Sequence, residues 1–273
     1  LPTEEGRTEM AKKLAGIDEF STLELMAVCG SRAIKNREVV FVGTGLPMVA
    51  ALLAKRTHAR GAKIVFEAGF IDSNAIDVAL SIADSRLGYR ASGAIGLLET
   101  LGLMLQGGHV DVGFVGAAQI DMYGNLNTTY IGSFEKPTVR LPGSGGGNDI
   151  MSSAHRTVVI MTHEKRKMVK KLDYLTSPGF LDGYDARQKA GLLGGGPSLV
   201  VTNLCQMDFD PHTKRTRLAT IHPGVSVQQV LENTEFDLAV PKDLPTTDLP
   251  TCEELDLLRE IDPQGIYIPK TKT

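Results

Sequence analysis

Short runs of β-branched and apolar residues alternate along this chain with longer stretches whose apolar residues recur at helical spacing. Ser21-Thr22-Leu23-Glu24 is a capping-box pattern and opens a helix through about Ser31. Val39 to Val42 reads as a buried strand that passes through Gly43-Thr44-Gly45-Leu46-Pro47 into an apolar helix from Met48 to about Thr57. The unit then repeats: Lys63 to Phe66 is a strand leading into Glu67-Ala68-Gly69, and a helix follows from about Gly93 to Gln106. Further strands are expected at Val110–Val115, Thr157–Met161, Leu199–Thr202 and Arg217–Ile221, with late helices at Ser226–Glu232 and Cys252–Glu260. This alternation predicts an α/β fold with an open, largely parallel sheet and helices on both faces. No linker interrupts it, so residues 1–20 read as a polar arm and 21–273 as one domain.

Composition narrows the function classes. Hydrophobic residues make up 42% of the 273-residue chain, ample for a packed core, and the net charge of -3 gives no basic footprint for nucleic acid. Lys165-Arg166-Lys167 with Lys170-Lys171 reads as a solvated helix face, with a phosphate-facing role as the alternative. Tryptophan is absent, so a base-stacking platform is not expected. No apolar run is long enough to span a membrane. Charged residues are scattered through the first twenty positions, unlike a signal peptide. The three cysteines have no metal-ligand spacing. The expectation is a cytoplasmic protein without disulfides, structural metal or permanently bound cofactor.

Candidate chemistry gathers where strands run into glycines. Glu67 ends an apolar run beside Ala68-Gly69, and a carboxylate there is costly unless paired or used. In open α/β sheets, ligands bind beyond the carboxyl ends of the strands, which makes Glu67 a candidate nucleophile or base. A helix-capping or ion-paired glutamate is the alternative. Gly43 and Gly45 could offer backbone amides to a phosphate, or could simply make a tight turn. Gly143-Ser144-Gly145-Gly146-Gly147-Asn148 leaves main-chain amides uncovered, enough for an oxyanion or phosphate nest, although a flexible loop would look the same. Gln119 and Asn127 are uncharged amides that could bond an amide-bearing ligand. His222 before Pro223-Gly224 reads as structural, and Gly194-Gly195-Gly196 and the stretch Asp72–Asp84 as pocket walls or ordinary loop.

Taken in order, Val42 to Pro47, Phe66 to Gly69, Gly116 to Asn127, Gly143 to Asn148, His163 to Arg166 and His222 to Gly224 resemble the β subunit of family I coenzyme A transferases, most nearly the glutaconate branch. The likeness runs from about Ser21 to Ile268. It implies a CoA-transferase-type fold and a separate α subunit in an α2β2 assembly. It further implies acyl-CoA and a carboxylic acid as substrates, with coenzyme A a substrate and not a bound cofactor. By resemblance Glu67 is the nucleophile, with Ala68 where Ser or Asn is usual. Gly146 or Gly147 supplies an oxyanion amide, and Gly43, Gly45, Gln119, Asn127, Gly145 and Asn148 line the substrate. Two other readings stand beside transfer: an acyl-CoA or ring-opening hydrolase with Glu67 as general base, and a non-catalytic scaffold subunit.

Overall fold

The computed structural model describes residues 13–73 and 78–270. The expected arm therefore lies outside the described residues up to residue 12, as do residues 74–77 of the Asp72–Asp84 stretch. The chain forms two compact units, one from the residues up to Ile95 with those from Asp248 on, the other from Gly96–Thr247.

In the first unit the repeat seen in the sequence is built as expected. Helix α1 (Thr22–Arg32) begins at Ser21, which accepts from the Glu24 amide while the Glu24 carboxylate accepts from the Ser21 amide. Strand β1 (Val39–Val42) enters helix α2 (Leu46–Arg56) through Gly45, and β2 (Lys63–Phe66) pairs with β1 in parallel. Val40 to Val42 and Ile64 to Phe66 are almost wholly buried. Burial on this scale contributes roughly 1.5–3 kcal/mol per large apolar side chain. The short strands β3 (Phe70–Ile71) and β4 (Gly93–Ala94) are then added antiparallel beyond β2. The C-terminal helix Cys252–Ile261 packs on α1 and α2. Two ion pairs hold it there, Arg32 with Glu254 at 2.7 Å and Arg259 with Glu24 at 2.9 Å.

The second unit carries parallel strands β5 (Val112–Val115), β10 (Arg156–Ile160) and β11 (Pro197–Val201). Strands β12 (Cys205–Phe209) and β13 (Thr216–Ile221) extend β11 as an antiparallel meander. Two small hairpins lie between β5 and β10: β6 (Gln119–Ile120) with β7 (Leu126–Asn127), and β8 (Tyr130–Gly132) with β9 (Pro137–Arg140). Helix α3 (Gly147–Ser153) packs on β5 and precedes β10, and α4 (Ala186–Lys189) is one turn.

The α/β class and largely parallel design are as the alternation predicted, with antiparallel strands added past β2 and past β11. The helix expected from Gly93 starts instead at Glu99 and runs to Gln106, because Gly93 and Ala94 pair with β3. It is wound as a π-helix, with five-residue bonds from the Gly107 amide to Gly102 O at 3.1 Å and from the His109 amide to Met104 O at 2.8 Å.

Candidate active site

Glu67 lies on a hairpin tip. The Gly69 amide donates to Phe66 O at 2.8 Å, which closes a β-turn with Glu67 and Ala68 at its two central positions. Gly69 has φ +94°, a conformation glycine adopts without a Cβ clash. The turn is needed because β2 is buried to Phe66 and β3 runs straight back, with Val65 opposite Ile71. Glu67 is therefore set at the carboxyl end of β2 and is half-buried. Away from this tip, Asp72 anchors the hairpin through Lys63 at 2.6 Å and through Lys55.

The β1–β2 register pairs Val42 with Phe66, so the next residues along the two parallel strands are Gly43 and Glu67. A Cβ built on Gly43 would meet nothing within 4 Å. Gly45, at φ +89°, is the N-cap of α2, and no side chain caps that helix. The strand-end glycines and Glu67 thus share one edge of the first unit, the place where α/β sheets bind ligands.

In the second unit Gln119 and Asn127 face one another across β6 and β7. Asn127 Nδ2 donates to Gln119 Oε1 and to Tyr130 O, both at 2.7 Å. Gln119 Nε2 donates to Asp173 Oδ2 at 2.9 Å, and Asn127 Oδ1 accepts from the Thr129 amide at 2.9 Å. Asn127 has no exposed surface and Gln119 only 5%. Both amides are engaged by the protein itself, so what they do for the site in this structure is to hold its backbone.

The glycine loop is tied to that network. Thr128 and Gly143 bond twice, from the Gly143 amide to Thr128 O and from Thr128 Oγ1 to Gly143 O, both at 2.8 Å. Asn148 Nδ2 donates to Thr176 O at 2.8 Å, and Thr176 Oγ1 accepts from the Thr128 amide at 2.9 Å. The Gly147 amide donates to Ser144 O at 2.9 Å, and the Asn148 amide to Ser144 Oγ at 3.1 Å. Gly143 and Gly145 take φ of +95° and +48°, and Gly146 is buried. The loop is a hydrogen-bonded turn into α3 in which the Gly143, Gly147 and Asn148 amides are already engaged, against the expectation of uncovered amides.

Other candidates resolve into structural roles. His222 is buried, with Nδ1 2.8 Å from Thr247 Oγ1 and Nε2 2.8 Å from Thr202 O. His163 is buried against Thr234 Oγ1 at 2.8 Å, and burial pushes its pKa down to about 4. Cys205 lies 3.7 Å from His163, and burial raises its thiol to about 12, so the pair is not a nucleophile with its base. Arg166 and Lys167 pair with Glu164 at 2.6 and 3.1 Å on a turn, not on the helix face expected, while Lys165, Lys170 and Lys171 are exposed. Gly194 and Gly195 are packing glycines, since a Cβ there would come within 2.2 Å of Ala154 O and 2.3 Å of His155 O.

The sequence reading missed Asp173, Thr128 and Thr176, which join the amide pair to the glycine loop. Thr128 could have been found as a hydroxyl following Asn127. Asp173 and Thr176 carry no local signal, because they meet their partners across about fifty positions.

The Coenzyme A transferase family model matches residues 23–233. The chain is 40% identical over 243 residues to the B subunit of the 3-oxoadipate CoA-transferase of Pseudomonas knackmussii, covering 89% of this chain and 94% of that protein. It is also 40% identical over 261 residues to the B subunit of the glutaconate CoA-transferase of Acidaminococcus fermentans, covering 93% and 97%. The crystal structure of glutaconate coenzyme A-transferase from that organism superposes with a TM-score of 0.87 at 37% identity, covering 93% of this chain and 99% of the matched one. This chain belongs to the coenzyme A transferase family and is a CoA-transferase subunit of the B type.

Proposed function

We propose that this subunit moves coenzyme A between an acyl-CoA and a free carboxylic acid by ping-pong chemistry through a thioester on Glu67. The observation that carries the reading is the placement of Glu67: half-buried, on a fixed turn at the end of a parallel strand, beside the open backbone of Gly43. A carboxylate is a sufficient nucleophile toward a thioester when aligned and shielded from water. A Glu67 oxygen attacks the thioester carbonyl, the C–S bond breaks, and an acyl-glutamyl anhydride and CoA thiolate result. The thiolate attacks the glutamyl carbonyl and releases the first acid, leaving Glu67 as a CoA thioester. The incoming carboxylate attacks that thioester and expels the thiolate, which takes the new acyl group and restores Glu67. The thioester's energy is conserved, and no redox change occurs.

Gly146 keeps the proposed role of oxyanion amide, whereas the Gly147 amide is spent on Ser144 O; Gly43, Gly45, Gly145 and Asn148 keep that of substrate contacts, and Gln119 and Asn127 that of holding the backbone beside the glycine loop. Loss of one oxyanion donor typically costs about 10²–10³ in rate. A partner α subunit belongs to the same reading, since both relatives are B subunits, and an α2β2 assembly is proposed with it. Glutaconate and 3-oxoadipate are both dicarboxylates, which supports an acyl chain with a distal carboxylate.

The test uses the complex with its partner subunit, incubated with glutaconyl-CoA and 3-oxoadipyl-CoA in turn, without acceptor acid. Borohydride reduction and peptide mapping should find Glu67 reduced through its thioester. Free CoA and acid accumulating over an unmodified Glu67 would replace transfer with hydrolysis.

A further inference from the structure

Arg187 sits in a segment, Asp185-Ala186-Arg187-Gln188-Lys189, that reads as an ordinary charged helix. Its side chain is nevertheless buried, with 4% exposure. The guanidinium makes five hydrogen bonds, all to main-chain carbonyls. Nε donates to Gly194 O at 2.7 Å, and one terminal nitrogen to Pro178 O at 3.2 Å and Gly179 O at 2.8 Å. The other donates to Met151 O at 2.6 Å and Ser152 O at 3.0 Å. A buried cation is costly, and here no carboxylate is among its hydrogen-bond partners. Burial lowers its pKa to about 10, which leaves it charged at neutral pH. What compensates is the carbonyl end of α3, since Met151 and Ser152 lie in its last turn, where a helix favours a cation.

We propose that Arg187 is a positioning residue for CoA transfer: it clamps the carbonyl end of the short helix whose first turn is the glycine loop. Helix α3 has only seven residues, so a shift at Ser152 is transmitted to Gly147 with little to absorb it. The other anchors of the loop, Thr128 and Asn148, act at its entry and its first helical turn. Arg187 supplies the anchor at the opposite end. Its reach depends on close backbone approach: a Cβ on Gly179 would come within 2.3 Å of Gly124, and Gly194 donates its own amide to Ser152 O at 2.8 Å. The inference rests on the transfer reading, because it assigns the glycine loop a part in that reaction.

The experiment compares Arg187→Lys and Arg187→Met in the complex with the partner subunit, well below the melting temperature. Active sites are titrated by the borohydride-trapped Glu67 adduct. Lysine retains the charge with at most three donors; methionine removes both charge and donors. Displacement of the loop by a fraction of an ångström should lower kcat per titrated site about 10-fold in the lysine variant and about 10²-fold in the methionine variant, with KM for acyl-CoA unchanged. Amide exchange over residues 143–153 should accelerate in both. Earlier melting with wild-type kcat per titrated site would overturn the proposal and leave Arg187 a stabilising residue only. If the methionine variant does not fold, the lysine variant decides. If the wild-type complex forms no adduct at Glu67, the transfer reading fails by itself, and unchanged exchange at 143–153 in the lysine variant would overturn the clamp.

Discussion

Glycine does opposite work in two regions of this molecule. At Gly43, beside the Glu67 turn, an added Cβ would meet nothing within 4 Å. At Gly194, in the second unit, a Cβ would lie 2.2 Å from the carbonyl oxygen of Ala154. Gly43 has no packing reason within the described chain, and Gly194 has little but a packing reason. The first leaves backbone open beside a carboxylate; the second lets two segments approach so that a buried arginine can reach their carbonyls. Function and stability should therefore separate on substitution.

The largest effect should come from Glu67→Gln, which keeps the shape of the turn and removes the nucleophile. Transfer should fall by about 10⁴-fold or more, with thermal stability little changed. Residual transfer near the wild-type rate would remove Glu67 from the covalent role. Gly43→Ala sharpens the contrast: melting should stay within about 0.5 kcal/mol of wild type, while kcat/KM falls about 10-fold or more as the added methyl occupies the approach to Glu67. Unchanged kinetics would mean that substrate does not use this opening. Gly194→Ala should act first on stability, costing about 1–3 kcal/mol through overpacking, and lower kcat only as far as it loosens the Arg187 clamp. Calorimetry that found this variant as stable as wild type would break the comparison.

Acid should also act unequally. His163 is held neutral by burial, its pKa lowered from 6.5 to about 4, and the pKa of His222 is lowered for the same reason. Between these values the unfolded chain binds protons that the folded one does not. Stability is therefore fully present above pH 6.5 and is lost as pH falls toward 4, by up to about 3 kcal/mol from His163. Denaturation midpoints followed from pH 7 to 4 would measure this, and His163→Asn should flatten the profile. The smallest expected effect on activity is that of Asn127→Ser, which shortens the link between the two hairpins and should cost about 1–3 kcal/mol locally. Hydrogen exchange at the glycine loop should report it before the melting temperature does.

Much of the fold was legible because its periods are local. Ser21 and Glu24 cap a helix three residues apart, β1 is an apolar run that ends at Gly43, and Ile64 to Phe66 of β2 is another that ends at Glu67. The short strands β3, β4, β6, β7 and β8 were not legible, because two or three residues carry too few positions to show a period, and β9 has Val139 as its one large apolar residue after Pro137. Strand β12 did carry a signal that the reading passed over, the alternation of Cys205, Met207 and Phe209 with Gln206 and Asp208.

At the site, Glu67 and the glycine runs stood out in the chain itself, since a carboxylate after a buried strand and four glycines in five residues conflict with ordinary packing. Local pattern was enough to place most of the longer elements, to single out the candidate nucleophile and, through the order of the motifs, to reach the family. Which polar groups face inward was settled by packing alone. Gln119 and Asn127 became a buried brace, Gly194 a contact surface and Arg187 a clamp. Their partners lie up to about fifty residues away, and no local pattern encodes such distant pairings.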